Sequence, residues 1–546
     1  MQLYKQFCTE EFDNDNTLKS FKLKFEDNYN FGYDVLDQMA EKAPNDIALV
    51  WTNPEGEERI FTFADLSRLS NKAANVFLKY GIKKGDRVLL MLKRNYEYWY
   101  IVTALHKLGV VAIPATNMLT AEDISYRVNV ANIKMAVCTP DSDTVENILQ
   151  AKNKGNSLKI VFVARKDFDG TVNITKEIES AGAELERVET KATEPMLIYF
   201  TSGTTGYPKA VVHNHIYSLC HIISAKYWQN VKEGGLHFSI AETGWAKASY
   251  GKIYGQWLCG CAVMAFDFEK FSPSKILKVI EKFKVTSFCA PPTAYRYFVK
   301  KGMQMYDLSS LEYLTTAGEA LNPIVAEAVY QQTGLHPMEG YGQSETTLLI
   351  ANLNGTHGKT GSIGKPSPMY DIRLVDSDGN EVKQGETGEI VVIPPKDRKQ
   401  YGIFTNYIGD EQMYQYAWRK GMYHTNDTAY MDEDGYYWYV GRADDLIKTR
   451  GYRVGPFEIE NVLMKHPAVL ECAVIGVPDE SRGQAIKAII KTVDGCDADK
   501  NLVNDIKAFS NKRLASYKWI QYIEFTDEMP KTISGKIKRV ALKANA

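Results

Sequence analysis

The sequence lacks any apolar run long enough to cross a membrane. Leu258–Phe266 is among the longest and has nine residues, against the ~20 that a helical span requires. It also lacks a signal-peptide core: Met1–Asn16 is polar and acidic, a pattern that predicts no leader. Charge of one sign is missing too. The 65 Lys and Arg against 67 Asp and Glu leave a net −2, without the basic surplus of a dedicated nucleic-acid binder. The eight cysteines, at positions 8, 138, 220, 259, 261, 289, 472 and 496, show no disulfide-framework rhythm. Cys259 and Cys261 form a C-x-C pair inside an apolar segment, with no second ligand pair nearby, so all eight are expected as reduced packing residues. No internal repeat and no low-complexity tract is visible. These absences leave a soluble, cytoplasmic chain of 546 residues, 45% of them hydrophobic, enough for several cores at roughly 100–200 residues per domain.

What is present alternates. Asp34–Ala43 reads as helix, Ile47–Trp51 as strand, Arg87–Leu92 as buried strand, Tyr96–Leu108 as helix with aromatics on several sides, and Val110–Ile113 as strand. Met135–Cys138, Ile160–Val163, the helix Ile276–Phe283 and the strands Ser287–Cys289 and Leu311–Thr316 continue the rhythm, which predicts parallel sheet covered by helices. From about Gly361 the texture becomes β-rich: Ile372–Val375 and Glu389–Ile393 flank Asp376-Ser-Asp-Gly-Asn380, and Thr428–Met431 and Tyr436–Val440 flank Asp432-Glu-Asp-Gly435. After Gly441-Arg-Ala-Asp444 an α+β pattern follows, with helices Pro456–Lys465 and Lys500–Asn511 and strands Val469–Ile475 and Tyr522–Phe525. Residues 445–546 carry 17 basic and 13 acidic residues, a surplus of four, so the rest of the chain is net negative.

The segment richest in chemistry is Tyr199-Phe-Thr-Ser-Gly-Thr-Thr-Gly-Tyr-Pro-Lys209, which follows the apolar stretch Met196–Phe200. Glycines let backbone amides turn inward, Ser and Thr hydroxyls add donors, and a lysine closes the string, a composition suited to cradling phosphate oxygens. The spacing is not that of a Walker A loop, because Ala210 stands where that motif places a magnesium-binding hydroxyl. No Ser-His-Asp or Cys-His arrangement announces a protein nucleophile.

This string resembles the signature of the adenylate-forming superfamily, which includes acyl-CoA synthetases, adenylation domains of peptide synthetases and firefly-type luciferases. Its later motifs follow in order: Gly318-Glu-Ala320, Glu339-Gly-Tyr-Gly-Gln-Ser-Glu345, Asp427, Gly441-Arg-Ala-Asp444, Arg450-Gly-Tyr-Arg453 and Pro530-Lys-Thr-Ile-Ser-Gly-Lys536. Within the superfamily, His237-Phe-Ser-Ile-Ala-Glu-Thr-Gly-Trp-Ala-Lys247 and Gly451–Glu460 look most like medium-chain acyl-CoA synthetases. Two departures stand out. Asn426 replaces a common Gly, and Thr449-Arg450 replaces small residues.

The resemblance implies an α/β fold. Residues 1–443 would form an adenylating domain of two α/β subdomains plus a distorted β-barrel-like subdomain, and 444–546 a small mobile α+β lid hinged at Asp444. It implies ATP, Mg²⁺ and coenzyme A as cofactors, a small carboxylic acid as substrate, no nucleic-acid partner, and catalysis by Lys536, Lys209 and Glu345. The nucleotide would be held by Thr201, Ser202, Gly203, Thr204, Thr205, Gly206 and Lys209, then Gly318, Glu319 and Ala320, then Glu339, Gly340, Tyr341, Gly342, Gln343 and Ser344, with Asp427, Arg442, Arg453 and Lys536. Glu345 and Thr204 would hold the metal. Arg450, Gly451, Tyr452, Arg482 and Lys518 would meet CoA. His237 is expected as a gate over the nucleotide, Trp245 as an acyl-pocket wall, and Gly342 as the opening that acetate-specific members close with Trp. Three alternatives remain at this stage: an enzyme loading a separate carrier protein, a luciferase-like oxidase of the adenylate, and a non-enzymatic nucleotide-binding relative, against which Lys209, Glu345, Asp427 and Lys536 together argue.

Overall fold

The computed structural model describes residues 1–201, 208–319, 321–356, 358–396, 400–450, 452–479, 481–493, 495–531 and 537–544, apart from the side chains of Ser142 and Arg453. The chain forms two compact units, Met1–Asp371 with Pro394–Arg419, and Ile372–Ile393 with Lys420–Ala546.

The first unit contains two large sheets. One has Arg87–Met91 at its centre, paired in parallel with Val111–Pro114 and Met135–Cys138. Ile160–Val163 and Val172–Asn173 extend it on one side. On the other side Pro195–Thr201 pairs in parallel with Val111–Pro114, and the edge turns antiparallel through Lys209–Asn214 and Asn406–Ile408. The second sheet runs in parallel from Ile47–Thr52 through Ala262–Phe266, Leu236–Ser239, Ser287–Cys289 and Tyr313–Ala317 to Pro337–Gly342, with antiparallel edges. The central strands bury nearly every side chain, as parallel strands covered on both faces must.

Helix boundaries follow local chemistry. Phe63–Lys79 starts at a reciprocal cap between Thr62 and Asp65, and Ala121–Ala131 at one between Thr120 and Asp123. Glu97–Lys107, anticipated with aromatics all round, is buried on every face. Its Glu97 is satisfied by Arg165 at 2.6 and 2.7 Å, and its Lys107 by Asp37 at 2.6 Å. The apolar run Leu258–Phe266 is no single element. It closes the helix Tyr254–Leu258, turns at Gly260 with φ +70°, and continues as the strand Ala262–Phe266.

In the second unit Asp371–Val375, Gly388–Ile393, Tyr423–Met431 and Tyr437–Arg442 make a four-stranded sheet. Both anticipated turns are present, with Asp376 Oδ1 accepting from the amides of Asp378 and Asn380, and Asp432 Oδ1 from those of Asp434 and Tyr436. The terminal α+β segment has its own apolar core, including Ile447, Ile459, Leu463, Val474, Ile486 and Ile506. It also contains a strand absent from the sequence reading, Gly483–Thr492, which pairs with the long strand Val469–Asp479. Its alternation is blurred because both its faces meet apolar neighbours.

Candidate active site

Two antiparallel strands, Pro195–Thr201 and Lys209–Asn214, flank the hydroxyl-rich segment in the chain. Thr201 and Lys209 are register partners at its base; the called residues Ser202, Gly203, Thr204, Thr205 and Gly206 lie outside the described residues. Lys209 does not stand alone. Its Nζ lies 5.5 Å from the centre of the Tyr407 ring, and the Tyr407 hydroxyl donates to Glu345 Oε1 at 2.9 Å. The backbone locks this triad in place: Asn406–Ile408 pairs with the strand that begins at Lys209, the Phe404 amide donates to the Glu345 carbonyl at 2.7 Å, and Thr346 bridges to Ile403. A cation, a carboxylate and the ends of two sheets therefore meet beside the loop.

The segment 339–345 splits into two groups. Gly342, Gln343, Ser344 and Glu345 are partly accessible, whereas Glu339 and Tyr341 are buried. The Gln343 amide donates to Thr346 Oγ1 at 3.0 Å, the Tyr250 hydroxyl donates to the Gln343 and Thr346 carbonyls, and His213 Nε2 donates to the Ser344 carbonyl at 2.7 Å. Burial pushes the His213 imidazole down to about 4, so the ring stays neutral. A Cβ at Gly340 would lie 2.5 Å from the Trp228 indole. Glu339, expected on the nucleotide, is turned inward: it is 4% exposed and accepts from the Leu321 amide at 3.0 Å. Burial raises its carboxyl to about 8, against the opposing pull of the Leu321 and Gly361 amides. It therefore orders the loop around Gly318 and Glu319, which are accessible. Ala320 lies outside the described residues.

A second expectation requires correction. His237 is no gate, because its side chain is fully buried in Leu236–Ser239 with Nδ1 2.7 Å from Ser287 Oγ. A side chain enclosed at the centre of a sheet cannot swing over a ligand. Trp245 is partly buried, two positions before the helix Lys247–Gly251. Gly342 has no room for any side chain, since a Cβ there would lie 2.6 Å from the Thr347 carbonyl oxygen and 2.7 Å from the Tyr250 hydroxyl. Sequence reasoning passed over Tyr407, Tyr250, His213 and Lys247. Lys247, whose Nζ reaches the surface of Gly318 to 2.1 Å from a Cβ built there, sits in a quoted motif. Tyr407 has no local signal, being placed by strand pairing 196 positions from its register partner Val211.

In the second unit, Asp427 is 5% exposed and accepts from the Tyr439 hydroxyl at 3.0 Å. Arg442 stands 3.9 Å from Asp427 and 3.3 Å from Asp444, so ribose and hinge candidates form one charged line. Asn426 has φ +55° and Arg450 φ +50°, which explains why small residues suit both places. The CoA candidates gather in two pairs: the Arg450 amide donates to the Arg482 carbonyl at 2.9 Å, and Tyr452 stacks on Tyr517 at 4.3 Å beside Lys518, itself paired with Glu458. Gly451 and Lys536 lie outside the described residues, as does the Arg453 side chain. Lys531 and Ile537 bridge antiparallel, and Arg539 binds Glu460 at 2.6 and 2.8 Å.

Residues 36–401 match the AMP-binding enzyme family, and residues 458–536 match the AMP-binding enzyme C-terminal domain. The chain belongs to the AMP-binding enzyme family. It is 37% identical over 546 residues to the acyl-coenzyme A synthetase ACSM3, mitochondrial, of Pongo abelii, covering 98% of this chain and 92% of that one. It is also 37% identical over 519 residues to 4-hydroxybutyrate–CoA ligase 1 of Metallosphaera sedula, covering 94% and 90%. Among solved structures, the anthranilate CoA ligase AuaEII in complex with anthranoyl-AMP has a TM-score of 0.87 at 28% identity, covering 95% and 98%. This AMP-binding enzyme is an AMP-forming acyl-CoA synthetase, an acid–thiol ligase that uses ATP, Mg²⁺ and coenzyme A. No helix among the described residues is long and apolar enough to cross a membrane, and the eight cysteines form no disulfide among the described residues.

Proposed function

We propose that the synthetase activates a short- to medium-chain, branched or aromatic acid in two steps at the Lys209–Tyr407–Glu345 seam, with Lys536 acting in the first. The carboxylate oxygen of the acid attacks the α-phosphorus of ATP, the α–β phosphoanhydride bond breaks, and pyrophosphate leaves. The sulfur of CoA then attacks the acyl carbonyl carbon, the bond to AMP breaks, and the thiol proton is released. Neither step needs a protein nucleophile; both need charge neutralisation and alignment.

The observation that carries this reading is the tether of Glu345 to Tyr407 beside Lys209. It puts one cation and one carboxylate next to a loop composed for phosphates. Thr201 to Gly206, with Lys209, would hold the β- and γ-phosphates. Mg²⁺ supplies charge to the polyphosphate, and Glu345 and Thr204 would be its protein ligands. No group of three or more His, Cys, Asp or Glu is assembled to hold a metal among the described residues, so phosphate and water would complete the shell. Gly318, Tyr341 and Gly342 would line the adenine, with Glu339 positioning that loop from beneath. Asp427 would take two ribose hydroxyls, and Arg442 and Arg453 the neighbouring charge. The acyl group would run between Trp245 and the bare backbone at Gly342.

For the second step, residues 444–546 would turn about Asp444, exchanging Lys536 for Arg450, Gly451 and Tyr452 along the CoA arm, with Arg482 and Lys518 near its nucleotide end. The compartment would be a reducing one such as the cytoplasm, in keeping with eight cysteines that form no disulfide among the described residues. The test is to resolve the two half-reactions. Lys536→Ala should lower acyl-adenylate formation on the order of 10²–10³-fold, the scale of one lost electrostatic contact, and largely spare thioester formation from preformed acyl-AMP. Equal losses in both would remove Lys536 from the first step.

A further inference from the structure

Beneath the helix Lys247–Gly251 lies a set of buried polar side chains for which neither half-reaction has a use. Gln229 and Thr315 are 1% exposed, and His237 and Gln256 are fully buried. Gln256 Nε2 donates to Gln229 Oε1 at 2.6 Å and to the Tyr250 carbonyl at 3.0 Å, which aims Gln229 Nε2 the other way. His237 spends Nδ1 on Ser287. Gln229 Nε2, His237 Nε2, Gln256 Oε1 and Thr315 Oγ1 are then left without a hydrogen-bond partner. The Cys289 thiol, a weak partner as donor and acceptor, interacts with both Thr315 and Gln229, and the buried Lys252 Nζ, also without a hydrogen-bond partner, acts electrostatically on His237 and Cys289. Two of them converge: one point, the Cβ position that Gly251 leaves vacant, is 3.1 Å from both Gln229 Nε2 and His237 Nε2. Each unsatisfied buried polar group costs roughly 1–3 kcal/mol, so four in one place call for an oxygen to bind.

The position of the cluster says whose oxygen. Thr315 lies three residues before Gly318 on Tyr313–Ala317 and is the register partner of Cys289, a descent of about 10 Å at ~3.3 Å per residue. Lys247 spans that distance, touching Gly318 and acting electrostatically on Cys289. Tyr250, whose carbonyl holds Gln256, rests its hydroxyl against Gly342. Through Tyr250 the cluster therefore lies behind Gly342, beside which the proposed acyl group runs. A hydrocarbon tail would leave all four atoms unsatisfied. A carboxylate would meet the Gln256 acceptor with more acceptors. A hydroxyl both donates and accepts, and so matches a mixed set.

We infer that this polar floor closes the acyl pocket and selects a short acid with a terminal hydroxyl remote from its carboxylate. The inference rests on the acyl pocket proposed between Trp245 and Gly342. The experiment compares kcat/KM for CoA-thioester formation from 4-hydroxybutyrate, 5-hydroxyvalerate and 6-hydroxyhexanoate with valerate, hexanoate and heptanoate, pairs matched in heavy atoms. One hydroxy acid should exceed its hydrocarbon match by at least about 10²-fold, since a site built to bond a hydroxyl rejects the analogue lacking it. Gln229→Leu and Thr315→Val should each shrink that ratio toward one, and Thr315→Ser should keep it; because a ratio is read, partial loss of folded protein does not mimic the result. Hydrocarbon acids preferred throughout, or a ratio unmoved by both variants, would mean the cluster binds only buried water and would overturn the inference while leaving the synthetase reading intact. No thioester from any of the six acids, while a branched or aromatic acid is turned over, would overturn the inference alone; no thioester from any acid of either kind would overturn both.

Discussion

At the scale of single residues, the site depends on side chains that act through others. Tyr407 offers its hydroxyl to Glu345 and its ring to Lys209. Tyr407→Phe keeps the ring and removes the tether, so the Mg²⁺ concentration for half-maximal pyrophosphate release should rise about tenfold, the effect of losing a partner that orients a metal ligand. An unchanged Mg²⁺ requirement would place Tyr407 outside the metal site. Glu339 makes a pH prediction. Its folded carboxyl holds a proton up to about 8, whereas the unfolded chain releases it near the ordinary glutamate value of 4.5. The folded state thus binds the extra proton between those values, and this contribution to stability, complete below 4.5, is lost as pH rises through 8. Glu339→Gln should flatten that decline in urea melts between pH 5 and 8. Both chemical residues, Lys209 and Glu345, were legible in their motifs. Their connection was not, because Tyr407 reaches them only through strand pairing.

At the scale of elements, motif strings proved to be strand ends with strict backbone demands. Gly342 was expected as an opening, but the Thr347 carbonyl and the Tyr250 hydroxyl already fill the place of a side chain there. Gly342→Ala should therefore cost about 1–3 kcal/mol, seen as a lower Tm, and should slow turnover of every acid. A cost-free substitution that only changes acyl preference would show that the packing opens. Asn426 and Arg450, which read as departures, occupy left-handed turns, the conformation that glycine adopts without strain. The element missed outright, Gly483–Thr492, is apolar on both faces in the middle of the terminal sheet, so no period-2 alternation marked it.

At the scale of the whole molecule, the chain divides into two compact units, and the β-rich segment from Ile372 groups with the terminal residues. The proposed turn at Asp444 predicts that Asp444→Pro, by locking φ near −65°, slows one half-reaction by about tenfold or more, at least ~1.4 kcal/mol of barrier, and leaves the other unchanged. Separate rapid-quench measurements of adenylate and thioester formation check this, and parallel losses would argue against a hinge there.

The sequence alone determined the chemistry class, since the phosphate-cradling string, Glu345, Asp427 and Lys536 are local patterns that survive without coordinates. It also determined most strands and helices, because burial periodicity and capping are written over short spans. Tertiary structure decided what those residues touch. It turned Glu339 and His237 inward, brought Tyr407 to Glu345, and gathered Gln229, Gln256 and Thr315 from distant segments under Gly251. Such contacts depend on which strands pair and how closely helices pack on them, and long-range pairing leaves no mark in a window of neighbouring residues.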